Sequence, residues 1–180
     1  LGRMLSPLNF TMKTRTLPCI VSLGFSLAFG QAADSIKDRV TAAVDNELPS
    51  LISLYKHFHA NPELSFMEAE TAKRLAAELR DAGLKVTTGV GGHGLVGVLK
   101  NGDGPTLLIR ADMDGLPVQE ETGLPHASTK QMADDLGNTV YTMHACGHDV
   151  HMTSFVGTAR LLGQLRDAWS GTLVMIGQPA

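Results

Sequence analysis

Apolar residues at Ile36, Val40, Ala43, Val44, Leu48, Leu51, Ile52, Tyr55 and Phe58 recur at intervals of three and four positions, the spacing of one helical face. Pro49 lies inside this run. It cannot donate to the carbonyl of Asp45, which predicts a kink or two helices meeting there. Ser65-x-x-Glu68 has the form of a capping box, with the serine hydroxyl and glutamate each covering an orphan amide. Ala69, Ala72, Leu75, Ala76 and Leu79 then mark the buried face of a second helix, and Gly83 marks its stop. Residues 85–88, 95–100 and 106–111 read as strands, and Asn101-Gly102-Asp103-Gly104 predicts a hairpin turn joining the last two. Residues 115–140, with Pro117, Pro125 and many polar positions, read as loop. Helical spacing returns over 150–166 at Met152, Phe155, Val156, Ala159 and Leu162, and residues 172–176 read as a final buried strand. Helices and strands in this order predict an α/β or α+β domain, because each one-sided helix needs a sheet to cover.

The pattern ahead of residue 36 is different. Met12-Lys13-Thr14-Arg15 is basic, residues 17–29 carry no charge, and Gly30-Gln31-Ala32-Ala33 is a small-residue exit. Together they predict a secretory signal peptide over 12–32, cut after Gly30 or Ala32, with residues 1–11 upstream of it. The apolar run is shorter than the roughly 20 residues a spanning helix needs, so no stable membrane anchor is expected. The expected location is periplasmic or secreted. Arg3, Lys13 and Arg15 lie within residues 1–32 and all the acidic residues follow, so removal of residues 1–32 takes the net charge from −3 to −6. Such a balance gives no reason to expect nucleic acid. Removal also takes Cys19 and leaves Cys146 as the single thiol, which excludes a disulfide scaffold. The 43% apolar and 18% charged composition is that of a globular chain.

Two segments carry candidate chemistry. Leu107-Leu108-Ile109-Arg110-Ala111-Asp112-Met113-Asp114 is an apolar strand ending in carboxylates at i and i+2. The two-residue period places Asp112 and Asp114 on the same side where the chain leaves the sheet, and ligands in α/β folds gather beyond strand carboxyl ends. His144-Ala145-Cys146-Gly147-His148-Asp149-Val150-His151 gathers three of the seven histidines around the lone thiol. Thiolate and imidazole are ligands for zinc and similar divalent ions. Cys-x-His is too tight to complete a site, so further donors must come from elsewhere in the sequence. Cys146 beside a histidine is also compatible with a cysteine hydrolase. Gly-x-Ser-x-Gly, His-Glu-x-x-His and Gly-x-x-x-x-Gly-Lys are not in the sequence. Gly91-Gly92-His93-Gly94 precedes a strand instead of opening a helix and reads as a turn.

Four ordered motifs carry a resemblance: His59-Ala60-Asn61-Pro62-Glu63-Leu64-Ser65-Phe66, Arg110-Ala111-Asp112-Met113-Asp114-Gly115-Leu116-Pro117, Met143-His144-Ala145-Cys146-Gly147-His148-Asp149 and Gln178-Pro179-Ala180. From about residue 36 onward the chain resembles the amidohydrolase branch of the dinuclear metallo-aminoacylase and carboxypeptidase family, which includes hippurate, N-acyl-amino-acid and auxin-conjugate hydrolases. The resemblance implies a zinc-peptidase-like α/β catalytic domain, with a mixed sheet flanked by helices, and a smaller inserted domain for dimerisation and closure. It implies two divalent ions (zinc, manganese, cobalt or nickel), a homo-oligomeric parent and an N-acyl or N-aroyl amino acid as substrate. It makes Cys146 and His148 metal ligands, with the cysteine bridging the two ions. It places Asp114 among the catalytic residues, orienting the site from behind the ligands. Asp112 stands where relatives outside this branch carry a histidine ligand. His144 and His151 receive no role from it, and His59 is expected to support the junction at the end of the first helix.

In that family Gln-Pro-Ala is followed by two glutamates, the general base and a further ligand, whereas this sequence closes at Ala180. Residues 36–180 are therefore expected to be the front portion of a catalytic domain, inactive alone, binding metal weakly and exposing apolar faces. For the parent the resemblance implies metal-assisted amide hydrolysis. The alternative is a non-catalytic metal- or ligand-binding protein on the same fold.

Overall fold

The computed structural model describes the backbone of residues 21–180 and the side chains of residues 36–180. Part of the expected signal peptide, residues 12–20, and the upstream residues 1–11 lie outside the described residues. The described chain divides after Lys37, and the unit Asp38–Ala180 carries every feature discussed below.

Three helices and six strands follow in the order α1 (Val21–Ala60), α2 (Ala69–Asp81), β1 (Lys85–Val90), β2 (Gly94–Asn101), β3 (Thr106–Asp112), β4 (Gln131–Ala133), β5 (Thr139–Tyr141), α3 (His148–Gln164) and β6 (Gly171–Gln178). Of the kink or two meeting helices expected at Pro49, two helices are not found, since α1 runs through it as one. Asp45 and Pro49 are both exposed, so water can take the carbonyl that the proline leaves without a donor.

The capping box is also corrected. Ser65 Oγ donates to Asp114 Oδ2 at 2.9 Å, and Glu68, fully buried, accepts the amide of Ala180 at 3.0 Å. Glu63 caps α2 in their place, its carboxylate receiving the amides of Thr71 at 2.7 Å and Glu70 at 3.3 Å. Orphan amides and a partly positive helix end make a carboxylate the natural group there. At the other end Gly83 turns with φ of 89°. Its amide reaches Arg80 O and that of Leu84 reaches Leu79 O, the paired bonds of a glycine-terminated helix, with Leu79 and Leu84 buried against the same core.

The main sheet has the order β1-β2-β6-β3. β1 pairs antiparallel with β2, β2 antiparallel with β6, and β6 parallel with β3, giving the mixed α/β sheet. The hairpin expected at 101–104 is therefore absent. β6, arriving after α3, inserts between β2 and β3, and the true hairpin is β1–β2 through Gly91, Gly92 and His93. A sequence-local turn signal cannot foresee a strand contributed from 70 residues further on. Within 115–140, β4 and the start of a small hairpin with β5 were not anticipated.

The pleat separates two faces. Leu95, Gly97 and Leu99 of β2 and Leu173, Met175 and Gly177 of β6 are buried. They join Leu54 and Phe58 of α1, Leu75 and Leu79 of α2, and Met152, Phe155 and Val156 of α3 in one core. Gly97 is required by close approach: a Cβ there would stand 2.8 Å from Leu84 Cδ2 and 3.1 Å from Leu79 Cδ1. The alternate residues Val96, Val98, Val174 and Ile176 are only half buried, and Leu108 beside Val174 is exposed.

Candidate metal centre

The carboxyl end of β3 and the amino end of α3 meet around Asp114. Its backbone carbonyl accepts two imidazole N–H groups, from His148 Nδ1 at 2.9 Å and His144 Nδ1 at 3.1 Å. A carbonyl only accepts, so both rings carry a proton on Nδ1, and the neutral form of each presents Nε2 as its lone pair. The Asp114 carboxylate adds to this hold, with Oδ1 3.0 Å from His148 Nδ1 and Oδ2 taken by Ser65. Asp112 approaches the same ring from the other side, Oδ2 lying 4.0 Å from His148 Nε2. Its Oδ1 accepts from Arg110, whose guanidinium also reaches Gln178 Oε1 on β6. The i, i+2 pair expected on one side of the chain thus brings a carboxylate towards each nitrogen of one ring.

Gly147 sets the entry to α3. It adopts φ of 77°, a left-handed conformation that costs side-chain-bearing residues, and turns the chain between Cys146 and His148. Its carbonyl receives the amides of Val150 and His151 at 3.1 Å. Cys146 is a free, exposed thiol. His151 stacks on His148 with ring centroids 5.8 Å apart. Gly115 seals the other side of the junction. Its amide reaches Glu63 O, and a Cβ at this position would stand 2.9 Å from Pro62.

Burial pushes the pKa of His144 down against the opposing charge of Asp149, so the ring stays neutral. Its Nε2 is buried with no hydrogen-bond partner. Sequence reasoning missed the group behind this centre. His59, Glu120 and Asp149 form a buried cluster in which His59 Nε2 lies 2.9 Å from Glu120 Oε1 and Nδ1 lies 2.7 Å from Asp149 Oδ2. Glu120 sits in the stretch read as loop, where it is one of an adjacent pair, Glu120 and Glu121, and nothing local marks which of the two turns inward.

The donor chemistry fits a divalent ion at this place. His148 offers a lone pair fixed by hydrogen bonding of its other nitrogen, the usual arrangement of a ligating histidine, and Cys146 offers a thiol with no competing partner. Among the described residues, no group of three or more His, Cys, Asp or Glu side chains gathers at metal-binding geometry. Cys146 and His148 supply at most part of a coordination sphere.

Residues 108–180 match peptidase family M20/M25/M40. Over these 73 of its 180 residues the chain is similar to that family. It is 41% identical over 136 residues to the N-acetylcysteine deacetylase of Bacillus subtilis, covering 72% of this chain and 32% of that protein. To the hippurate hydrolase of Campylobacter jejuni it is 40% identical over 143 residues, 75% of this chain and 34% of that protein. A dinuclear metal-binding M20 peptidase of Bacillus subtilis superposes with a TM-score of 0.64 at 40% identity, over 73% of this chain and 35% of that one. The chain spans about a third of the length of the curated relatives it matches. The M20 resemblance carried by the four motifs is thereby established, as is the α/β fold with its mixed sheet.

Proposed function

We propose that this chain carries the Cys146 and His148 donors of a dinuclear metallo-amidohydrolase acting on N-acyl or N-aroyl amino acids. The observation that carries the proposal is the shared acceptor at Asp114 O, which takes Nδ1 of His148 and leaves its Nε2 for a ligand, two residues along the chain from Cys146. Relatives named for deacetylation of N-acetylcysteine and for hydrolysis of hippurate support the substrate class. Two bound divalent ions would supply Lewis-acid polarisation of the scissile carbonyl and a lowered water pKa. In this reading Cys146 and His148 hold them. Asp114 orients His148 through its carbonyl and carboxylate, and Arg110 holds Asp112 at the rim. His144, neutral and buried, packs behind the donors. The export signal over 12–32 would place the protein in the periplasm or outside the cell.

No imidazole is hydrogen-bonded to Cys146 among the described residues, so the cysteine-nucleophile reading has no base in contact with its thiol. The reading of a non-catalytic metal-binding protein on the same fold is favoured only by the small number of gathered donors.

Cobalt(II) titration tests the site directly. The thiolate charge-transfer band should appear with the 180-residue chain and vanish in Cys146→Ala. Asp114→Ala removes the carboxylate at His148 Nδ1 but keeps the carbonyl, so it should weaken binding by about tenfold, the low end of the usual effect of changing the partners behind a ligating histidine. Hydrolysis of hippurate by this chain alone should not exceed the Cys146→Ala control. In the longer protein it should be abolished by a chelator and restored by a divalent metal. A band that survives in Cys146→Ala would overturn the assignment, and chelator-resistant hydrolysis would return the cysteine-hydrolase reading.

A further inference from the structure

His59, in the last turn of α1, is 6% exposed and has a carboxylate at each ring nitrogen. A neutral imidazole has one donor and one acceptor, and an ionised carboxylate only accepts. Two carboxylates can both be satisfied only if the ring carries both protons. Both carboxylates accept further hydrogen bonds from their surroundings. Glu120 also accepts the Ser128 amide at 2.5 Å and the Thr122 hydroxyl. Asp149 Oδ1 accepts the Val150 amide at 2.9 Å, at the amino end of α3. Three further titratable groups stand near the ring. Tyr55 of α1 has its hydroxyl 3.4 Å from Nδ1. His126 meets the ring edge-on at 5.1 Å and has a buried Nε2 without a partner. His144 stands close enough for the His59 charge to disfavour a second one there.

The three tied segments are the end of α1, the stretch around Glu120 and the first turn of α3. The last of these begins with His148 itself. We propose that His59 is a doubly hydrogen-bonded imidazolium that acts as a positioning residue for the candidate metal centre, anchoring Asp149 and so holding the neighbouring His148 ring against Asp114. The purpose of the positioned ring rests on the metallo-amidohydrolase reading, whereas the charge state and the anchoring do not.

The test uses the full chain without metal. Nitrogen-15 NMR of the imidazole rings at neutral pH should show both nitrogens of His59 protonated and His148 as the Nδ1-protonated tautomer. In Glu120→Gln the pH at which His59 loses its proton should fall by about one unit or more, since one anionic acceptor is gone. In His59→Gln the amides of Val150 and His151 should exchange about tenfold faster or more, against smaller changes in β2 and β6, because the opening would be local. The His148 ring signals should shift with them. If His59→Gln does not fold, the Glu120→Gln titration and the wild-type ring spectrum still decide. A His59 ring with one bare nitrogen at neutral pH would overturn the proposal. So would variants whose α3 exchange and His148 signals match wild type. Failure of cobalt to bind the wild-type chain would instead count against the metal reading and leave these readouts standing.

Discussion

Single side chains decide how the site segment is held, and two of them carry testable consequences. Glu63 caps α2 in the role expected of Ser65 and Glu68. Glu63→Ala should destabilise the fold by about 1–2 kcal/mol, the usual cost of losing a helix cap, whereas Ser65→Ala should leave α2 intact; urea denaturation of the two variants compares them. At His59 burial works against the charge, but the hydrogen bonds and charges of Glu120 and Asp149 outweigh it and raise the pKa. A raised pKa contributes stability that is full below the unfolded value of 6.5 and is lost as pH climbs through the higher folded value. Glu120 behaves oppositely: burial is outweighed by bonds from Thr122, Ser128 and His59, so its pKa falls and its contribution is lost in acid. The melting-temperature gap between wild type and His59→Gln should therefore be widest around pH 5–6 and narrow on the alkaline side. A gap that widens with rising pH would contradict the sign. The motif made Cys146 and His148 visible in the sequence. The clamp was not visible, because Glu120 and His59 are 61 positions apart and only the fold makes them neighbours.

Among elements, the helices are joined by one guanidinium. Arg160 of α3 reaches Glu47 of α1 at 2.8 Å and Glu78 of α2 at 2.5 Å, while Arg74 shares Glu78 from its own helix. Glu78 is buried, so losing Arg160 leaves a partly compensated charge out of water. Arg160→Leu should cost about 1–3 kcal/mol in chemical denaturation, in the range for a buried charged hydrogen bond. Burial alone would raise the pKa of Glu47, but bonds from Arg160 and Gln164 overcome it and lower it. The stability this supplies is present above the unfolded value of 4.5 and disappears as pH falls through the folded one. Arg160→Leu should accordingly be less acid-sensitive than wild type in that range. The helices themselves were readable from spacing, since a three-to-four period reports a buried face regardless of what covers it. The strand partners were not: a turn motif at 101–104 says only that the chain reverses locally, and β6 was free to occupy the place beside β2.

For the whole molecule, the sheet is covered on one face and half open on the other. The row Val98–Val174–Leu108 and the neighbouring Val96–Ile176 pair form an apolar strip on the open face, flanked by β3 as an edge strand with Leu107 and Leu108 each 56% exposed. Exposed apolar faces and unpaired edges promote association. The chain should self-associate with rising concentration in light scattering and bind a hydrophobic dye. Val98→Thr with Val174→Thr should reduce both while keeping the strand propensity of the positions. Equal association in the double variant would exclude this face as its origin.

The amino-acid sequence by itself determined the helical faces, the strand segments of the main sheet, the family resemblance and the Cys-x-His motif, because each is written in local spacing or residue type. The tertiary structure alone decided the sheet order, the Glu63 cap, the two imidazoles on one Asp114 carbonyl and the carboxylates on either side of His59. These depend on which distant segments share a core, and a hydrogen bond between groups far apart in the chain leaves no periodic trace in the residues between them.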